Sequence, residues 1–193
     1  IEIEESYQMC TREFAYEYLK DIIKPWMKVL IIPFSFHEEW IQNEKELYKH
    51  YGYSGDEFKD IVKEFYPYHI RFRNIRVLNC FRDSHEDALR KIHQADILFF
   101  TGGYPAKLMY RLSKMGIIDA IREFPGIVMG TSAGAMVQFD RYHVTPEEEG
   151  EDYEYHYGVG RLSGFDIEVH YEESFPQLSC MLIALKEAGV PIY

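Results

Sequence analysis

The chain has 193 residues, 47% of them hydrophobic and 27% charged, enough to bury the core of one domain and too few charges for disorder. Its net charge of −11 argues against nucleic acid or an anionic membrane as partner, because both need a basic patch. Three cysteines, Cys10, Cys80 and Cys180, are too few and too scattered for a disulfide framework or a CxxC metal site, which points to a reducing, cytoplasmic setting.

Elements follow in an alternating order. Thr11–Ile23 carries apolar residues near helical spacing and ends at Lys24-Pro25. Met27–Phe34 is a continuous apolar run, the pattern of a strand buried on both faces. His37–Tyr51 and Asp56–Phe65 read as helices, Asn74–Cys80 as a strand, and Ser84–Gln94 as a helix opened by a Ser84/Asp87 capping box. Asp96–Thr101 is a strand closed by Gly102-Gly103, and Pro105 suits the first position of a helix over Pro105–Lys114. Ile117–Phe124 is a short helix, Gly126–Gly130 a buried strand and Ala133–Phe139 a further helix. Tyr142–Tyr157, rich in Glu, Asp and Tyr, reads as an exposed loop or short hairpin. Phe165–Tyr171 alternates as a strand, and Pro176–Ala188 is a helix with Leu178, Met181, Leu182 and Leu185 at core spacing, closed by Gly189.

This alternation predicts an α/β fold, a three-layer α/β/α sandwich with a mostly parallel sheet and right-handed crossovers. In such sheets function gathers at the carboxyl ends of the strands. Gly102-Gly103, Ser132 and His170 fall there.

Gly130-Thr131-Ser132-Ala133-Gly134 is a G-x-S-x-G motif with a strand before it and a helix after it. A serine on so sharp a turn lifts its hydroxyl clear of the sheet, and small neighbours tolerate the strain. Gly103 and Ala133 offer backbone N–H groups for an oxyanion hole, with a phosphate nest as the competing reading of the double glycine. Serine needs a base. His170, at the end of its predicted strand, is the choice. His37, His50, His69, His85, His93, His143 and His156 read as surface or packing residues. The orienting acid is left open by spacing among Glu147, Glu148, Glu149, Glu151, Asp152, Glu154 and Asp140. Tyr153, Tyr155, Tyr157 and Tyr171 read as cover for apolar surface, with the lining of a pocket as the alternative, and Cys80 and Cys180 read as small buried residues. No spacing suggests a metal or a cofactor. Only 61 residues follow Ser132, too few for the strand–helix units that an α/β-hydrolase adds after its nucleophile.

Three segments, Ala95–Leu108 (ADILFFTGGYPAKL), Gly130–Val137 (GTSAGAMV) and Gly164–Tyr171 (GFDIEVHY), together resemble the dipeptidase E and cyanophycinase family of serine peptidases. The resemblance runs from Lys28 to Gly189 and implies a class I glutamine amidotransferase-like (flavodoxin-like) fold. It implies Ser132 as nucleophile, His170 as base, and Gly103 and Ala133 as oxyanion donors. It places the acid after the elbow helix, so Glu147 is the choice, ahead of Glu148 and Glu149. It implies cleavage of small peptides with acidic residues beside the bond, for which Arg141 and Arg161 are candidate cations. A hydrolase of Asp-linked polymer and an inactive binding module are the alternatives. Residues 1–193 are expected to form one peptidase-type domain, monomeric or homodimeric, shortened at one or both ends: Ile1–Glu5 is a weak version of the family's first strand, and the chain opens with neither an initiator Met nor a signal-peptide pattern.

Overall fold

A computed structural model describes residues 15–146 and 153–193. The apolar runs become four parallel strands: β1 (Val29–Ile32), β2 (Ile75–Val77), β3 (Ile97–Phe100) and β4 (Ile127–Gly130), in the order β2-β1-β3-β4. Strand residues alternate between two cores. Leu30, Ile32, Leu98 and Phe100 face one, with helices α3 (His85–His93), α4 (Pro105–Met115), α5 (Ile118–Arg122) and α6 (Ala133–Met136). Val29, Ile31, Ile97 and Phe99 face the other, where Phe58 and Val62 of α2 (Asp56–Glu64) pack. A continuous apolar run is thus buried on both faces, as a doubly wound parallel sheet requires.

Local signals set the ends. The Ser84/Asp87 capping box forms, Pro105 opens α4, and Gly116 ends it in the left-handed conformation. The expected helix over His37–Tyr51 is shorter: α1 runs Glu44–Tyr51, because Asn43 caps it by accepting the Glu46 N–H at 3.1 Å. The strand expected over Asn74–Cys80 stops at Val77, where the Asn79 side chain turns the chain by accepting from the N–H groups of Phe81 and Arg82. Of Thr11–Ile23, residues 15–19 are helical and a turn follows; Thr11–Phe14 lie outside the described residues. The elbow helix ends at Met136 rather than Phe139.

The Tyr- and acid-rich stretch is a hairpin, not an exposed loop: β5 (Arg141–Val144) pairs antiparallel with β6 (Glu154–Tyr157), and Tyr142 and His143 are buried. Phe165–Tyr171 is not a sheet strand. Phe165, Ile167 and Val169 do pack on the first core, so the alternation was real. Among the described residues, the backbone of this segment bonds through Asp166 and Glu168 to residues 191 and 193, with Asp166 bridging Ile192 in parallel. The last helix, α7 (Phe175–Ala188), is capped by Ser174 and Gly189 but turns differently from expectation. It buries Cys180 and Ala184 and leaves Leu178, Leu182 and Leu185 exposed. The helix is apolar nearly all round, so periodicity could not select its inner face. No helix among the described residues is long and apolar enough to cross a membrane.

Candidate active site

Strand order reverses between β1 and β3, the usual crevice of an open α/β sheet. Here that crevice is filled. Ser35, 1% exposed, bonds Thr101 through the two hydroxyls at 2.7 Å, and its carbonyl accepts the Tyr104 N–H at 2.8 Å. The Ser35 carbonyl oxygen lies 2.6 Å from where a Cβ on Gly103 would stand, and Gly103 has φ +130°, so only glycine fits. Arg111, itself buried, holds this loop by donating to the carbonyls of Phe34 and Phe36. The open cleft is displaced to the ends of β3 and β4.

There β4 runs into the G-x-S-x-G turn. Ser132 has φ +49° and ψ −118°, a strained conformation for a residue with a side chain. The two glycines make it possible. A Cβ on Gly130 would lie 2.2 Å from the Gly134 carbonyl oxygen, and one on Gly134 2.4 Å from that of Phe100. Backbone bonds from Thr131 to Phe100, Gly134 to Thr131 and Ala135 to Ser132 lock the turn onto β3 and α6.

Ser132 Oγ is 2.8 Å from His170 Nε2. Both line a cleft of about 490 Å³ together with Gly103, Met136, Pro146 and Glu168. The Gly103 N–H donates to no described backbone carbonyl, and the Ala133 N–H, at the first position of α6, has no acceptor within the helix. These are the donors that the sequence singles out for an oxyanion. A tetrahedral carbonyl adduct on Ser132 would put charge beside such groups.

His170 is held by side chains. It has φ +54°, and its carbonyl accepts from Gln177 Nε2 at 2.9 Å, while Gln177 Oε1 accepts the Glu172 N–H at 2.8 Å. No carboxylate among the described residues bonds its other nitrogen. Glu147, Glu148 and Glu149 lie outside the described residues, as do Glu151 and Asp152. Glu154 pairs with His156 at 2.7 Å, and Asp140 sits in the turn before β5, so neither meets His170.

Sequence reasoning missed one cluster on the cleft wall. His143, classed as a surface or packing residue, is 2% exposed and bonded on both ring nitrogens: Nδ1 to Asp166 at 2.6 Å and Nε2 to Glu168 at 2.7 Å. Thr145 Oγ1 donates to the same Glu168 oxygen at 2.9 Å. Burial alone would push the imidazole pKa down, but the two carboxylates outweigh it and raise it to about 9. His143 is therefore an imidazolium at neutral pH, tying β5 to the segment that carries His170. Its only sequence signal is a polar residue on the inward side of a short strand.

Arg141 and Arg161, the expected cations, lie elsewhere. Arg141 stacks on Tyr155 at 3.8 Å, and Arg161 donates to the carbonyls of Ile121, Arg122 and Phe124. Among the described residues no Arg or Lys lines the cleft.

Comparison with known proteins adds the family. No curated protein matches the chain in sequence. A peptidase from an acI-B1 Actinobacterium has a similar structure, with TM-score 0.55 and 19% identity, over 86% of this chain and 68% of that one. A Listeria monocytogenes EGD-e protein, described as a peptidase E, has TM-score 0.55 and 17% identity over 91% and 85%. At such identity these show the shared fold, in keeping with a glutamine amidotransferase-like sheet. The model of peptidase family S51 matches residues 13–176, so the span covers the elbow and His170. The chain belongs to peptidase family S51 and is a serine-type peptidase.

Proposed function

We propose that the chain hydrolyses small peptides through an acyl-enzyme formed on Ser132. The observation that carries this is the 2.8 Å contact between Ser132 Oγ, on its strained turn, and His170 Nε2. His170 takes the hydroxyl proton as Ser132 Oγ attacks the amide carbonyl carbon. The oxyanion is received by the N–H groups of Gly103 and Ala133. Collapse of the adduct breaks the C–N bond, and His170 hands its proton to the leaving amine. Water, deprotonated by the same imidazole, then frees the acid and restores Ser132.

Glu147 is our assignment for the acid that orients His170. In support, it directly follows Pro146 in the sequence, and Pro146 lines the same cleft as His170. A preference for Asp beside the bond, implied by the family resemblance, finds no cation on the described wall. The free thiols Cys80 and Cys180 support a cytoplasmic setting. The test is a dipeptide and tripeptide panel, with a β-linked Asp–Arg peptide included, assayed with the wild type and Ser132→Ala. Release of free amino groups by the wild type alone is expected. Equal turnover by Ser132→Ala would overturn the assignment.

A further inference from the structure

A second cavity, of about 300 Å³, opens between α1 and the edge strand β2, and it shares no lining residue with the Ser132–His170 cleft. Two tyrosines, Tyr48 and Tyr53, and three cations, Arg76, Arg82 and Lys91, line it.

Both rings are held in place yet open to water. Tyr48 lies against Gly52, where a Cβ would stand 2.9 Å from one ring carbon and 2.3 Å from the Tyr48 carbonyl oxygen, so the ring's seat requires a glycine. Tyr53 is set by ring contacts with Phe58 at 5.5 Å and Phe72 at 5.1 Å. The two side chains nonetheless belong to residues 60% and 59% exposed. A planar ring laid against them would cover apolar area that now faces water, and rings already held lose little freedom on binding.

The cations are only partly matched. Lys91 donates to Asp83 and, at 3.2 Å, to the Val77 carbonyl. Arg82 reaches Glu44 and Asp83 at 3.4 and 3.6 Å, longer than well-formed bonds. Arg76, exposed on β2, has no carboxylate partner among the described residues. Three cations beside two carboxylates leave one positive charge, and a guanidinium fork suits a carboxylate or phosphate. The chain's net charge of −11 does not cancel this locally, because charges farther than about 8 Å are largely screened at physiological salt.

We propose that this cavity is a second ligand site, for a small aromatic anion, with the ring against Tyr48 and Tyr53 and the anionic group on Arg76 and Arg82. An aryl carboxylate and a mononucleotide are the two sources of that chemistry. The volume is at the small end of ligand pockets, which suits one ring system and its charged group. The site is independent of the peptidase reading.

The experiment is isothermal titration calorimetry of the full chain with adenosine monophosphate and with indoleacetate. Ribose phosphate and acetate present the anion without the ring, and adenosine and indole the ring without the anion. At least one of the two ring anions is expected to bind with Kd below about 1 mM, and its half-molecules about tenfold or more weakly. Tighter adenosine monophosphate identifies a nucleotide as the source, and tighter indoleacetate an aryl carboxylate. Arg76→Ser and Tyr48→Ser alter exposed residues outside the Ser132 cleft, so each should melt at the wild-type temperature and bind about fivefold or more weakly, the effect of about 1 kcal/mol. Neither ring anion binding at about 1 mM overturns the inference, as does a half-molecule that binds as tightly as the whole. An affinity unchanged in either variant places the ligand elsewhere and overturns it as well.

Discussion

Ser132 stands between a strand and a helix whose backbone bonds fix it, whereas His170 stands in a segment that, among the described residues, pairs with no strand of the main sheet. The elbow is locked by backbone N–H groups that donate to the carbonyls of Phe100, Thr131 and Ser132 and by two glycines that admit no Cβ. The histidine arm is tied by the His143–Asp166–Glu168 trio on one side and by Gln177 on the other. One half of the dyad is thus placed by main chain, the other by side chains far apart in sequence. The first should fail all at once when disturbed. The second should fail by degrees and with pH.

The largest effect is expected where the main chain is crowded. Gly134→Val would drive atoms into the Phe100 carbonyl. It should cost about 1–3 kcal/mol of stability and, by moving Ser132, roughly 100-fold or more in activity. Denaturant melts and single-turnover acylation check both. A folded variant with normal acylation would show that the elbow does not need the glycine.

The next effect is in the arm. His143→Leu leaves Asp166 and Glu168 buried without their cation, an expected loss of about 3–5 kcal/mol by urea denaturation. In the wild type the sign follows from the raised pKa. The folded imidazole holds its proton to about pH 9, against an ordinary value of 6.5, so its contribution is full below about pH 6.5 and is lost as pH rises through 9. The shift corresponds to about 3 kcal/mol. Urea midpoints measured from pH 6 to pH 10 should fall over that window in the wild type and stay flatter in His143→Leu. Parallel curves would assign the alkaline loss to another group.

The smallest effect is at Gln177. Its amide donates to the His170 carbonyl and accepts the Glu172 N–H, so it positions His170 without touching the reacting atoms. Gln177→Ala should lower kcat by about tenfold with KM little changed. Gln177→Glu keeps the acceptor and loses the donor, and should fall between. A change confined to KM would contradict a positioning role.

The same contrast governs what the sequence reveals. The elbow is legible because its strain demands small residues at fixed local positions, and β1, β3 and β4 because burial on two faces demands unbroken apolar runs. The Ser84 box and the Pro105 start were equally local. The arm was half legible: Phe165, Ile167 and Val169 alternate because they face one core, yet nothing local says that no strand lies beside them. The trio that anchors it joins residues 23 and 25 positions apart, through a histidine whose polarity alone gives no partner. The burial of His143 needs the hairpin to be folded first. The inner face of α7 stayed hidden because apolar residues surround the helix.

The central claim is that Ser132 is a nucleophile activated by His170. The direct measurement is intact-mass kinetics of fluorophosphonate labelling on the folded wild type, Ser132→Ala and His170→Ala. The account predicts one adduct, on Ser132, formed about 100-fold or more slowly in His170→Ala and absent in Ser132→Ala. Wild-type protein that stays unlabelled, or His170→Ala that labels as fast as wild type, would contradict it.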